Sequence, residues 1–224
     1  MSQPLPAAPN GLLLIWTDVT PEAEADFNAW YDNQHLAERV GVPGFLNGRR
    51  YVAEGGAAPK YLAWYETETP EVLGSKAYGD RQANPTAWTQ RVMPAFRNVT
   101  RVTAQRLAKS GGGAASHCAT LRLRPAPGHE AALAEALIGA VAHLAPDPTL
   151  TAAQSWRPTA ADAAKGTTEA RLRAQHEAPP AWGLLVEATD GAAATAALGG
   201  VRAAVEVAAG AVGEVGGYRL VLSL

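Results

Sequence analysis

The chain has 224 residues, is 47% hydrophobic and 18% charged, and carries a net charge of −2. That describes one large or two small globular domains with ample core, and it argues against a nucleic-acid partner, which needs a basic face. The single cysteine, Cys118, excludes an internal disulfide framework and points to a reducing compartment.

Residues 1–10 form a Pro-rich leader without the basic start and apolar run of a signal peptide. No apolar run is read as approaching the roughly 20 residues of a membrane span, and the expectation is a cytoplasmic protein with no membrane partner. GLLLIWTDV (11–19) reads as a buried strand. Thr20 and Pro21 then give an N-cap and a proline at the first helical position, followed by acidic Glu22, Glu24 and Asp26. The helix is expected to run to about Val40, with Ala23, Phe27, Trp30, Tyr31, Gln34 and Glu38 on one face. Gly41 and the Pro43-Gly44 pair end it. Residues 45–54 and 60–68 alternate as a hairpin, 70–96 read as a helix broken near Asn84-Pro85, and 98–107 form a fourth strand.

A Gly-rich link (109–115) separates this first unit, 11–108, from a second, 116–224, in which the same order recurs. Strands are expected at 116–124, 149–158, 181–190 and 217–224, and helices at 127–144 and 191–209. A polar insert, 159–179, interrupts the second unit; its EARLR segment (169–173) reads as part of a solvated loop or, given the insert's length, as a lid over a cavity. The fold class is therefore α+β: two tandem ferredoxin-like βαββαβ units of about 105 residues. Each unit leaves one sheet face bare, so the units pack sheet to sheet as an α+β barrel.

The densest chemistry lies at 27–51, FNAWYDNQHLAERVGVPGFLNGRRY. A helix ending W-Y-x-x-x-H-L, then P-G-F, then a strand with R-R-Y resembles the dimeric α+β-barrel superfamily, and within it the EthD-like proteins. The resemblance implies a small-molecule ligand and either an internal pseudo-dimer or a homodimer. It admits cofactor-free monooxygenases, isomerases, cyclases and haem enzymes. The second unit lacks W-Y-x-x-x-H and P-G-F, so no second equivalent site is expected.

His35 is the leading candidate for general acid/base, because imidazole titrates near neutrality. By α-helical geometry it sits about 80° from Phe27, beside the buried face, and the resemblance places it near a cleft. Arg49 and Arg50 are neighbours in a strand and face opposite ways. Arg50 shares its face with Leu46, Gly48 and Val52, the more apolar set, which suits the helix side; Arg49, with Phe45, Asn47 and Tyr51, is then assigned to the interior, either as an anion clamp or in a salt bridge with Glu66 or Asp18. Tyr51 or Tyr65 would donate to an oxyanion, Asp18 or Glu66 would orient His35, and Trp16, Asn47 and Trp64 would complete the pocket. Twelve of the fifteen aromatics precede the link, which puts the pocket in the first unit. The five histidines show no metal-ligand spacing, and no nucleophile elbow, Walker loop or dinucleotide fingerprint occurs. The leading expectation is a cofactor-free enzyme acting on an aromatic or cyclic organic acid. The alternatives are a non-catalytic binding or structural barrel, and a haem protein with His143 as axial ligand.

Overall fold

In the computed structural model the described residues are 9–161, 166–173 and 177–224. Most of the leader, parts of the insert and His176 lie outside them. Eight antiparallel strands close into one barrel: β1 (Gly11–Val19), β2 (Phe45–Glu54), β3 (Tyr61–Thr67), β4 (Phe96–Gly111), β5 (His117–Leu123), β6 (Leu150–Pro158), β8 (Trp182–Ala188) and β9 (Glu214–Ser223). The order runs β1-β3-β2-β9-β5-β8-β6-β4, and β4 returns to pair with β1. A two-residue strand, β7 (Glu177–Ala178), lies parallel to β4.

Each half has its strands in the order fourth, first, third, second. The fourth strand of each half also seals the other half. The start of β4 pairs with β1 and its end with β6, while β9 pairs with β5 and then β2. The expected picture of two separate stacked sheets is replaced by one closed sheet, because shared pairing leaves no bare edge in the ring. Lys109, Ser110 and Gly111, expected in the flexible link, are strand residues opposite Gln154, Ala153 and Ala152.

Alternation along the strands sorts the side chains. Leu12, Leu14, Trp16, Tyr51, Leu62, Trp64, Val102, Cys118, Trp156, Leu185 and Tyr218 fill the barrel interior. Leu13, Ile15, Ala63 and Tyr65 point outward into a core under the first half's helices. These are α1 (Glu24–Trp30), α2 (Leu36–Val40), α3 (Lys76–Ala83) and α4 (Ala87–Val92). A separate, wholly apolar core lies beneath α5 (Glu130–Leu144) and α7 (Gly191–Ala209). α7, at 19 residues, is long and apolar enough to cross a membrane, which corrects the expectation that no such run exists. Its Ala194, Leu198, Val201 and Val205 pack into the core beneath it. The short helix α6 (Thr168–Arg173), from the second half's insert, crosses to lie against α3 of the first.

Two local irregularities were not expected. The first helix is interrupted by a π turn, Tyr31–His35, between α1 and α2. A β-bulge falls between Phe45 and Asn47. The bulge puts Phe45 in the helix-side core, off the interior face of Arg49 and Tyr51.

Candidate active site between helices and sheet

Arg49 does enter the barrel, but all its charge is used there. Its guanidinium donates to Glu187 at 2.7 Å and Glu66 at 2.8 Å, with the Tyr51 hydroxyl at 3.3 Å. Arg106 lies 2.9 Å from the other oxygen of Glu66 and donates to Gln154 at 2.9 Å. These buried pairs join β2 to β8 and β4 to β6, so they stitch the two halves together. An arginine held by two carboxylates has no charge to spare for a substrate anion. The anion-clamp assignment of Arg49 is therefore corrected to a structural one. Burial also pushes the Tyr51 phenol far up, so Tyr51 is locked in the same network. Trp16 stacks on Trp156 with centroids 6.1 Å apart, and Trp64 meets the same ring at 5.7 Å. Those tryptophans are interior packing. Asn47 sits opposite Glu66 near the barrel end. Asp18 is at the surface, accepting from the Lys60 amide at 2.6 Å and from Asn98 at 2.7 Å. Neither Asp18 nor Glu66 is placed to orient His35, because Glu66 is inside the barrel and His35 is outside it.

His35 lies on the far side of the sheet, 5% exposed, between the helix layer and the outer faces of β1, β3 and β4. The π turn explains how it got there. One extra residue in the turn takes up about 100° of rotation, so His35 falls within roughly 20° of Phe27 and points inward. Its ring stacks on Trp30 at 3.9 Å and meets Tyr31 edge-on at 5.0 Å. The turn is held from the sheet by Arg50, which pairs with Asp32 at 2.6 Å and also donates to Asn28. The Arg50 guanidinium lies 5.0 to 5.2 Å from the ring centres of Phe27, Tyr31 and Tyr61. Gly48 lets α2 approach, since a Cβ there would stand 3.0 Å from Leu36 Cδ1 and Tyr65 Cδ1.

His35 borders a small cavity of about 20 Å³, room for one water molecule. Its apolar walls include Leu13, Ile15, Met93 and Phe96, and its polar walls are Tyr31, Tyr65, Tyr78, Gln82, Arg39, Arg101, Glu169 and Arg173. Arg39 pairs with Glu169, Arg173 lies 3.6 Å from the same carboxylate oxygen, and Arg101 reaches the Tyr78 hydroxyl at 3.3 Å. Five buried polar atoms here, His35 Nδ1, Tyr65 Oη, Gln82 Oε1, Arg39 Nη1 and Glu169 Oε1, have no hydrogen-bond partner among the described residues. Five unpaired groups around one small space mark a place built to receive polar atoms. Burial, aided by the charges of Arg39, Arg173 and Arg81, holds the His35 pKa well below the usual imidazole value. His35 is therefore neutral at pH 7, with Nδ1 unpaired among the described residues. Burial likewise raises the Tyr65 phenol, so it stays a hydrogen-bond donor. Burial opposes the charge on Arg39, but Glu169 more than offsets it. Arg173 also pairs with Glu177 at 2.9 Å, at the cavity's edge.

The structure thus brings His35 and Tyr65 together and leaves Arg49, Tyr51, Trp16, Trp64, Asn47 and Asp18 elsewhere. The residues missed by sequence reasoning were Arg39, Tyr78, Gln82, Arg101, Glu169 and Arg173. One signal was available: Tyr31, His35 and Arg39 are spaced by fours along a helix. Larger recesses exist, but they are open grooves of about 800 Å³ each. One is at the barrel mouth by Asp18, Arg122 and Glu214, and the other lies beside Glu54, His117 and Gly191. At the barrel mouth the charged groups are paired with one another, Arg122 with Glu214 at 2.9 Å for instance.

The haem alternative does not fit. His143 is exposed in a groove of about 290 Å³ between α5 and α7, whose other lining residues are Ala136, Gly139, Ala140, Gly200, Val201, Ala204 and Val205. That lining offers no cation for propionates and too little room for a macrocycle. Among the described residues no cluster of three or more His, Cys, Asp or Glu is placed to hold a metal ion.

No protein-family model and no curated protein matches the chain. Solved structures do. An anthrone oxidase-like protein superposes with a TM-score of 0.68 at 12% identity, over 96% of this chain and 92% of the other. A candidate monooxygenase of Fusobacterium nucleatum subsp. nucleatum gives 0.58 at 10%, over 97% and 94%. One of Lactobacillus acidophilus NCFM gives 0.59 at 6%, over 96% and 95%. At these identities the likeness defines the fold, an α+β barrel.

Proposed function

We propose that the chain is a small-molecule enzyme of the monooxygenase type, working in the cavity beneath the first half's helices. The observation that carries this reading is the group of five unpaired buried polar atoms around one cavity, one of them on a neutral histidine. The names borne by the structural neighbours support oxygenation over isomerisation or cyclisation. The repeated strand order supports reading the chain as two fused ferredoxin-like βαββαβ units, the first carrying the site.

A substrate of the anthrone kind, an electron-rich ring system with an acidic C–H or phenolic O–H, suits the cavity's aromatic walls. Neutral His35 accepts the acidic proton at Nδ1. Arg39 Nη1 and Tyr65 Oη stabilise the anion so formed. The anion is the reductant for molecular oxygen. The substrate methylene loses both hydrogens and gains one oxygen atom as a carbonyl, and the second oxygen atom leaves as water. The atoms and electrons balance without an outside donor. His35 returns its proton during loss of water.

The test is oxygen uptake with anthrone as substrate, alongside formation of anthraquinone. Wild type should consume one oxygen molecule per anthraquinone formed. His35→Gln should lower kcat/KM by roughly a hundredfold or more while the protein stays folded. Equal turnover by the folded variant would remove His35 from the chemistry.

A further inference from the structure

The cavity is closed by a piece of chain from the other half of the molecule. α6 belongs to the second half's insert, yet it packs against α3 and the turn at Met93–Ala95 of the first. Its Leu172 joins the first half's helix-side core, and Thr168 Oγ1 donates to the Ala83 carbonyl at 3.0 Å. Glu169, 1% exposed, offers one carboxylate oxygen to Arg39 and Arg173 and turns the other, unpaired, toward the cavity. A space of about 20 Å³ holds a water molecule and no organic substrate. Something must move before a substrate enters. Apart from Arg173, which is also on α6, the cavity's other polar walls belong to barrel strands or to helices of the first half. α6 is one and a half turns long and is held by the Arg39–Glu169 pair, Leu172 and a few hydrogen bonds.

We infer that α6 is the gate of this site and that Glu169 is its latch and a positioning residue. Shut, Glu169 fixes the Arg39 guanidinium. As substrate enters, α6 lifts, then recloses with Glu169 Oε1 accepting a hydrogen bond from a hydroxyl of the substrate. The inference rests on the cavity being the active site.

The experiment tethers the gate. Ala83→Cys and Thr168→Cys are introduced together, outside the cavity lining, and joined with a reducible bis-methanethiosulfonate linker. Cys118 is buried and out of the reagent's reach. Anthrone turnover is measured before linking, after linking and after reduction. A gate predicts a loss of at least tenfold on linking and recovery on reduction. Equal turnover in the linked and reduced forms overturns the gate and leaves the functional reading standing. No anthrone turnover by wild type overturns the functional reading and the gate with it. Glu169→Gln, assayed with 1,8-dihydroxyanthrone because anthrone itself carries no hydroxyl, supplies the second measurement. The latch predicts a several-fold higher KM at little-changed kcat in folded protein. A lower melting temperature with both constants unchanged would make Glu169 merely structural and overturn its role as latch.

Discussion

At the scale of single residues, the site depends on a histidine kept neutral by its surroundings. The His35 pKa is depressed in the folded protein by burial first and by Arg39, Arg173 and Arg81 after it. The unfolded chain takes up this proton near pH 6.5, before the folded chain does. The stabilising contribution is therefore complete above about pH 6.5 and is lost as pH falls toward the lower folded value. Melting temperature should drop between pH 6.5 and 5 more steeply for wild type than for His35→Gln, as thermal scans across that range would reveal. Parallel slopes would mean that the imidazole is not held neutral by the fold. The sequence made His35 conspicuous, and Tyr65 with it. Alternation set Arg49 and Arg50 on opposite faces without deciding between them, and the structure has Arg49 inside. Glu66 was legible as an alternative ion-pair partner of Arg49, and the two do pair; Glu187 was not, since it is 138 residues away and meets Arg49 only through barrel closure.

At the scale of elements, two one-residue irregularities decide which groups meet. Regular helix geometry leaves His35 beside the buried face, and the π turn brings it in. Regular strand alternation groups Phe45 with Arg49, and the bulge parts them. Neither irregularity has a local sequence mark, because the grip that sustains the π turn comes from Arg50 on β2 reaching Asp32 and Asn28. Arg50→Lys keeps the charge but loses the planar fork that serves both partners. It should lower kcat/KM several-fold and the melting temperature by a few degrees, read from oxygen uptake and calorimetry. A variant with unchanged kinetics would show that His35 is positioned without Arg50. The strands and long helices were legible from periodicity. α6 was legible only as a polar segment able to cover a cavity, because what it covers belongs to the other half of the chain.

At the scale of the whole molecule, the two halves share one hydrogen-bonded ring. β4 ends on β6 and β9 ends on β2, so separating the halves bares two strand edges on each. Residues 9–112 expressed alone should self-associate, each copy's β4 taking the place of the missing β9 against its partner's β2. Sedimentation should give a dimer or larger species, and a stable monomer would contradict the seam as the source of closure. The division of labour is also visible at this scale. The first half brings the aromatic, polar cavity, while the second brings an apolar Ala-rich helix layer and the one short helix that shuts the site.

On the proposed function, ligand binds between the helices and the sheet of the first half, and not inside the barrel. The direct measurement is a crystal structure of the chain soaked with 1,8-dihydroxyanthraquinone. The ligand should lie beneath a displaced α6, within hydrogen-bond distance of His35 Nδ1 and Glu169. Ligand seated at the barrel mouth beside Asp18 and Arg122, or in the groove between α5 and α7, with the His35 cavity unchanged, would contradict it.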